Sequence, residues 1–146
     1  MRKTLVVLPA VACVVPALAF AALPKKDSAY TYCESKNSCP LTFDTTKTGR
    51  KITNLSMYND CAQVPARDGY PKIRVKDTGK FKKSGKVTDV TGAELSFTIK
   101  GKFKKPKKAV GTFEIDSSRS ATPPFGPCDS NPKDFVAKRK GEAGST

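Results

Sequence analysis

Apolar and polar residues alternate along most of this chain. From Glu94 to Phe103, Leu95, Phe97, Ile99 and Phe103 take one side with Gly101 between them, while Ser96, Thr98, Lys100 and Lys102 take the other and Lys104 continues it. Lys72-Ile73-Arg74-Val75-Lys76 repeats the pattern, and so does Ala109 to Asp116 with Gly111, Phe113 and Ile115 on the apolar side. A period of two sends successive side chains to opposite faces of an extended strand. The pattern predicts further strands at Tyr30–Cys33, Leu41–Thr45, Lys51–Tyr58, Lys80–Lys83, Val87–Val90 and Phe135–Arg139. No window shows an apolar period of 3.6, so no helix is expected in the body of the chain.

Turn residues separate these runs: Thr48-Gly49, Asp68-Gly69, Asp77-Thr78-Gly79, Ser84-Gly85, Thr91-Gly92 and Lys105-Pro106. Eight to nine short strands at this spacing predict an all-β, antiparallel β-sandwich or jelly roll. Two connections are long, Cys61 to Tyr70 and Asp116 to Pro132, a length often tied to function. Gly79-Lys-Phe-Lys-Lys83 recurs as Gly101-Lys-Phe-Lys-Lys105. Two copies are too few for a solenoid and are expected to be two similar hairpins.

The first residues differ from the rest. Arg2 and Lys3 precede an uncharged stretch from Thr4 to Ala22, and Ala19-Phe20-Ala21 ends it with small residues. This predicts a signal peptide over 1–21 cleaved near Ala21, and hence a secreted or extracytoplasmic protein. The run is long enough to span a bilayer, but Pro9 and Pro16 interrupt it. Ala10-Val11-Ala12-Cys13 only faintly matches a lipoprotein box, and cleavage there would leave an apolar stub behind the lipid. One domain is expected over 22–140, with a polar tail over 141–146.

Export leaves Cys33, Cys39, Cys61 and Cys128, an even number in an oxidising compartment. A zinc site would need C-x₂-C spacing or histidine, and the chain has neither. Two disulfides are therefore expected. Spacing does not select among the three connectivities, of which Cys33–Cys39 with Cys61–Cys128 is preferred. In a chain-entropy treatment the short loop would contribute about 2.4 kcal/mol and the long one about 4.4 kcal/mol.

Several of these segments occur in a familiar order: Ile52-Thr53-Asn54-Leu55, Cys61, Gly79-Lys-Phe81 with Ser84-Gly85, Ile99-Lys-Gly-Lys-Phe103, Ala109-Val-Gly-Thr-Phe113, and Cys128 ahead of Phe135-Val-Ala-Lys-Arg139. Over roughly residues 41–140 the chain resembles an uncharacterised family of secreted bacterial β-sandwich domains. It departs from that pattern at Phe135, where tryptophan is common, and in its added Cys33 and Cys39. The resemblance implies a β-sandwich and a Cys61–Cys128 bridge. It implies no activity.

Charge narrows the chemistry. Lys and Arg number 27 against 13 Asp and Glu, a net charge of +14, and there is no His and no Trp. With Arg2 and Lys3 removed, 25 basic residues face 13 acidic ones. Absence of His excludes Ser-His-Asp and Cys-His catalysis. Paired carboxylates remain, but Glu94, Glu114 and Asp116 fall on the polar side of their strands, where lysine neighbours are expected. Asp44, Asp60 and Asp129 lack the spacing of a calcium loop. No cofactor or metal is expected, and no enzymatic activity.

The distinctive feature is lysine. Lys80, Lys82 and Lys83 form one cluster, and Lys100, Lys102, Lys104, Lys105, Lys107 and Lys108 form another. If their hairpins are neighbours, Lys72, Arg74 and Lys76 extend the face. Such a field concentrates and steers anions. Lysines also blunt sheet edges and keep domains soluble, yet neither role needs so large an excess. The expected function is therefore a secreted, non-enzymatic, monomeric module binding an extracellular or cell-envelope polyanion, such as acidic polysaccharide or wall polymer, through these lysines. Specific nucleic-acid binding is not expected, because the phenylalanines alternate to the side away from the lysines. The alternative is a protein-binding module or inhibitor of a secreted hydrolase that presents the two long loops.

Overall fold

The computed structural model describes residues 22–59, 61, 66, 68–118, 128 and 130–141. The expected signal peptide over 1–21 lies outside the described residues. So do the tail beyond Gly141 and most of the two long connections, 62–65 and 119–127. Eight strands are present: β1 (Ala29–Tyr32), β2 (Leu41–Thr45), β3 (Lys51–Met57), β4 (Ile73–Arg74), β5 (Lys80–Thr88), β6 (Glu94–Lys105), β7 (Lys108–Ser117) and β8 (Lys133–Arg139). The described residues contain no helix.

All eight strands join one antiparallel sheet in the order β4-β3-β2-β1-β8-β7-β6-β5. Its two end strands follow each other in sequence, and the Asp77-Thr78-Gly79 turn brings them together. Gly79 adopts φ 72°, a left-handed conformation that glycine takes without steric cost. Its N–H donates to the Lys76 carbonyl at 2.8 Å, and the Lys76 N–H donates to the Lys80 carbonyl at 2.9 Å. An antiparallel bridge between Val75 and Phe81 follows, so the sheet is nearly closed.

Inward-facing residues fill the interior. Tyr30 stacks on Phe43 at 5.2 Å, Phe81 lies 5.5 Å from Phe103, and Phe43 meets Phe103 edge-on at 6.3 Å. All four rings are buried. They bind strands β1 and β2 to β5 and β6 across the core, in the offset and edge-on geometries that aromatic quadrupoles favour. Tyr30 also donates its hydroxyl to the Pro106 carbonyl at the β6–β7 turn.

Glycine sets how closely the strands wrap. Register places Phe81 opposite Gly101, Gly101 opposite Gly111, and Gly111 opposite Phe135. A Cβ at Gly101 would lie 2.5 Å from the Phe81 ring, and one at Gly111 would lie 2.1 Å from the Lys100 carbonyl oxygen. Phe81 thus covers backbone that any other residue would cover with its own side chain, an aromatic-over-glycine arrangement. Gly85 does the same under Phe97, its Cβ position 3.3 Å from that ring.

The same packing accounts for the length of β5. Ser84-Gly85 reads as a turn between two strands, but β5 runs unbroken from Lys80 to Thr88. Gly85 marks a close approach to an aromatic rather than a bend. The Gly-Lys-Phe-Lys-Lys echo is similarly divided. Gly79 makes a turn, Gly101 lies within a strand, and the two phenylalanines meet in the core.

Both disulfides form, Cys33–Cys39 and Cys61–Cys128. The second ties the segment after β3 to the segment before β8. Ser117 and Cys128 exchange backbone hydrogen bonds of 2.9 Å, while buried Asn59 donates to the Ile115 carbonyl at 2.8 Å and accepts from Cys61 N–H at 3.0 Å. At the β5–β6 turn, Asp89 Oδ1 accepts from Thr91 N–H and hydroxyl and from Ala93 N–H at 2.7–2.9 Å. Burial alone would raise its pKa, but these hydrogen bonds outweigh it and hold the carboxyl below its ordinary value.

Replacing Gly111 by Ala is expected to destabilise the domain by about 1–3 kcal/mol, as overpacking does when backbone is the obstacle. Gly85→Ala is the milder control, since its backbone is not left-handed and its Cβ position meets nothing nearer than the Phe97 ring at 3.3 Å. Urea denaturation of both variants checks the order. A Gly111→Ala protein as stable as the parent would contradict the close-approach account.

Candidate anion-binding site

Inner-face packing fixes where the outer-face lysines fall. With Phe81 opposite Gly101, strand alternation sets Lys80 opposite Lys102 and Lys82 opposite Lys100. The next strand continues both rows, Val110 beyond Lys102 and Thr112 beyond Lys100. On the other side, extending the Val75–Phe81 bridge by one residue each way places Lys76 opposite Lys80 and Arg74 opposite Lys82. Lys51 of β3 then stands opposite Arg74. Neighbouring strands lie about 4.8 Å apart and same-face residues about 6.8 Å apart along a strand, so these cations form a compact lattice.

The lattice surrounds an open groove of about 530 Å³. Arg74, Lys76, Lys80, Lys82, Lys100 and Lys102 line it, with Val110 and Thr112 closing one end. Phe81, Gly101 and Gly111 also contribute, so the inward-facing aromatic–glycine row backs the groove with bare main chain. Lys102 is half-buried and the other four lysines are exposed, an arrangement in which aliphatic stems lie along the sheet and ammonium groups reach water.

No carboxylate among the described residues pairs with this group. Among the described residues the ion pairs are Arg50–Asp77, Lys86–Glu94 at 2.8 Å and Lys133–Glu34 at 3.5 Å, and none involves a cation of the groove. Like charges placed directly opposite one another on a sheet are destabilising. The register that juxtaposes them is imposed from within, because a one-residue slip would turn Phe97, Ile99 and Phe103 outward.

The sequence-predicted lysines do not all converge. Lys83 alternates with Lys82 and falls on the side of Phe81, so it leaves the face that Lys80 and Lys82 share, and it is absent from the groove lining. Lys72 is absent from the lining too. Strict alternation would group Lys104 with Lys100 and Lys102, but the β6–β7 register shifts between Phe103 and Lys105. This bulge brings Lys105 opposite Lys108, which the β7–β8 register sets opposite Lys138. Bulges re-aim side chains in this way. Lys105, Pro106, Lys107, Lys108 and Lys138 line a second groove of about 390 Å³. Sequence reading missed Lys51 and Lys138, which join the lysine face only through long-range strand pairing.

Other candidates gather less. Phe81, Phe97 and Phe103 are buried, so these rings offer no stacking surface on the lysine face. Glu114 and Asp116 stand opposite Thr98 and Ser96, not opposite lysines as expected, and Asp116 accepts from Ser130 N–H at 2.7 Å. Glu94 is held by Lys86. A polar depression of about 670 Å³ runs beside Asp27, Asp44 and Asn54, larger than the lysine groove, but Asn54 already donates to Asp44 at 2.8 Å. Of the calcium candidates only Asp44 lies in the described residues, Asp60 and Asp129 falling outside them, and no three metal-ligating side chains cluster among those described. In the Cys61–Tyr70 connection, Tyr70 packs its ring edge-on to Phe97 at 5.0 Å, and burial, then Tyr58, push its hydroxyl above the ordinary tyrosine value.

Lys80→Glu is expected to stabilise the domain by a few tenths of a kcal/mol at low ionic strength, because an attractive pair replaces a repulsive one opposite Lys102. The gain should shrink with added salt. Urea denaturation at two ionic strengths checks both points, and a destabilised variant would contradict the unneutralised lattice. Comparison with protein-family models, with curated proteins and with solved structures finds nothing that matches this chain.

Proposed function

We propose that this chain is a secreted, non-enzymatic β-domain that holds an extracellular or cell-envelope polyanion on the face formed by β4, β5 and β6. One observation carries the reading. Two directly opposed lysine pairs, Lys80 with Lys102 and Lys82 with Lys100, share a groove with Arg74 and Lys76, and no carboxylate pairs with any of them among the described residues. An arrangement that costs stability in the free protein is accounted for by a ligand that supplies the missing negative charge. Acidic polysaccharide and anionic wall polymer are the ligand chemistries that fit.

Several features support the setting. Two disulfides are consistent with an extracytoplasmic location, and the basic-then-apolar start of the chain fits export with cleavage near Ala21. We read the nearly closed sheet as a sandwich whose halves, β1–β4 and β5–β8, meet at Tyr30, Phe43, Phe81 and Phe103, in keeping with the resemblance to secreted bacterial β-sandwich domains. A chain without histidine, whose lysine face carries no exposed ring among the described residues, fits point-charge attraction better than catalysis or base stacking.

Salt-gradient elution from a heparin column tests the reading. The mature protein should elute later than a control of matched pI, and Lys82/Lys100/Lys102→Ala should elute well before Lys25/Lys36/Lys47→Ala, which carries the same net charge. Equal elution of the two triple variants would mean that charge acts only in bulk, and would refute the site.

A further inference from the structure

The two lysine grooves are neighbours on one strand pair. Lys102 of the first and Lys105 of the second are three residues apart on β6, while Val110 of the first and Lys108 of the second are two apart on β7. Without the bulge between Phe103 and Lys105, alternation would carry the row from Lys102 to Lys104 and turn Lys105 to the inner side, away from Lys108. With it, Lys105 stands opposite Lys108, on the face from which Ala109 points away into the core. Lys138, opposite Lys108, widens that end.

Resting on the anion-binding reading, we propose that the grooves form one continuous track along β6 and that the ligand is a flexible linear polyanion lying lengthwise in it. From Lys100 to Lys105 the track runs about 17 Å at strand rise, longer than any one phosphate or sulfate group spans. The flank on the β7–β8 side limits a transverse path. Across the strands, the row through Lys82 and Lys100 passes Thr112 and ends at the carboxylate of Asp134, and the row through Lys80 and Lys102 ends at Val110 and Val136. A charged chain laid across β6 would meet repulsion or an apolar strip on the β7–β8 side, and on the β5 side it would follow Lys82, Arg74 and Lys51 away from the second groove. Laid along β6, it meets cations from Lys100 to Lys105. Convergence of the ammonium groups on grooves also favours a threadlike ligand over the flat surface of an anionic bilayer.

Binding of inorganic polyphosphate of graded length, measured by calorimetry at fixed salt, tests this. Affinity should rise with length until the chain spans the track and then level off, with one long chain bound per protein. Lys105/Lys108/Lys138→Ala should lower affinity for the long chain by at least about tenfold, as loss of a second tethered contact does. The same variant should leave tripolyphosphate binding at the first groove unchanged within error. Equal affinity for short and long chains, or two long chains per protein, would overturn the track while leaving an anion site intact. Binding to phosphatidylglycerol vesicles without binding to free polyphosphate would replace the thread with a membrane surface. No binding to any of these probes would refute the anion reading, and the track with it.

Discussion

The close contact of two backbones and the Phe81 ring at Gly101 and Gly111 governs this molecule. A side chain at either position would strike the Phe81 ring or the Lys100 carbonyl. Their absence lets β5, β6 and β7 wrap tightly, lets Phe81 reach Phe43 and Phe103, and leaves main chain behind the outer groove. The same row sets the register that opposes lysine to lysine. Core packing and surface charge are thus two faces of one constraint, since the alternation that buries Phe97, Ile99 and Phe103 obliges Lys100 and Lys102 to face outward together.

That linkage explains why so much positive charge is tolerated. Registers in two-sided sheets are set by the buried face, and a modest outer-face repulsion cannot shift them. The aromatic cluster, the Cys61–Cys128 crosslink and Asn59's hydrogen bonds hold the frame in which the lysines are fixed. On the proposed reading, a site prearranged in this way would bind anions with little reorganisation, and its affinity should depend strongly on ionic strength because most of its cations are exposed.

Much of the fold was legible because alternation is a local signal. The strands at Leu41–Thr45, Lys51–Met57, Glu94–Lys105 and Lys108–Ser117 follow directly from it. Gly85 misled because a glycine beneath an aromatic looks, in sequence, like a glycine in a turn. Both disulfide partnerships matched the preferred pairing, although spacing does not select it. At the site, Lys80, Lys82, Lys100 and Lys102 were readable as strand-borne lysines, but their opposition was not, since it depends on a register set by Phe81 and Gly101. The bulge at Phe103–Lys105 and the approach of Lys138 leave no local trace, because each arises from pairing between strands distant in sequence.

The most direct measurement is a backbone amide NMR titration of the mature protein with a short sulfated oligosaccharide. The account predicts shifts concentrated in Arg74–Lys76, Lys80–Lys82, Lys100–Lys102 and Val110–Thr112, including the side-chain-free amides of Gly101 and Gly111 behind the groove. Weak shifts spread over all surface lysines, Lys36 and Lys47 among them, with Gly101 and Gly111 unmoved, would contradict it.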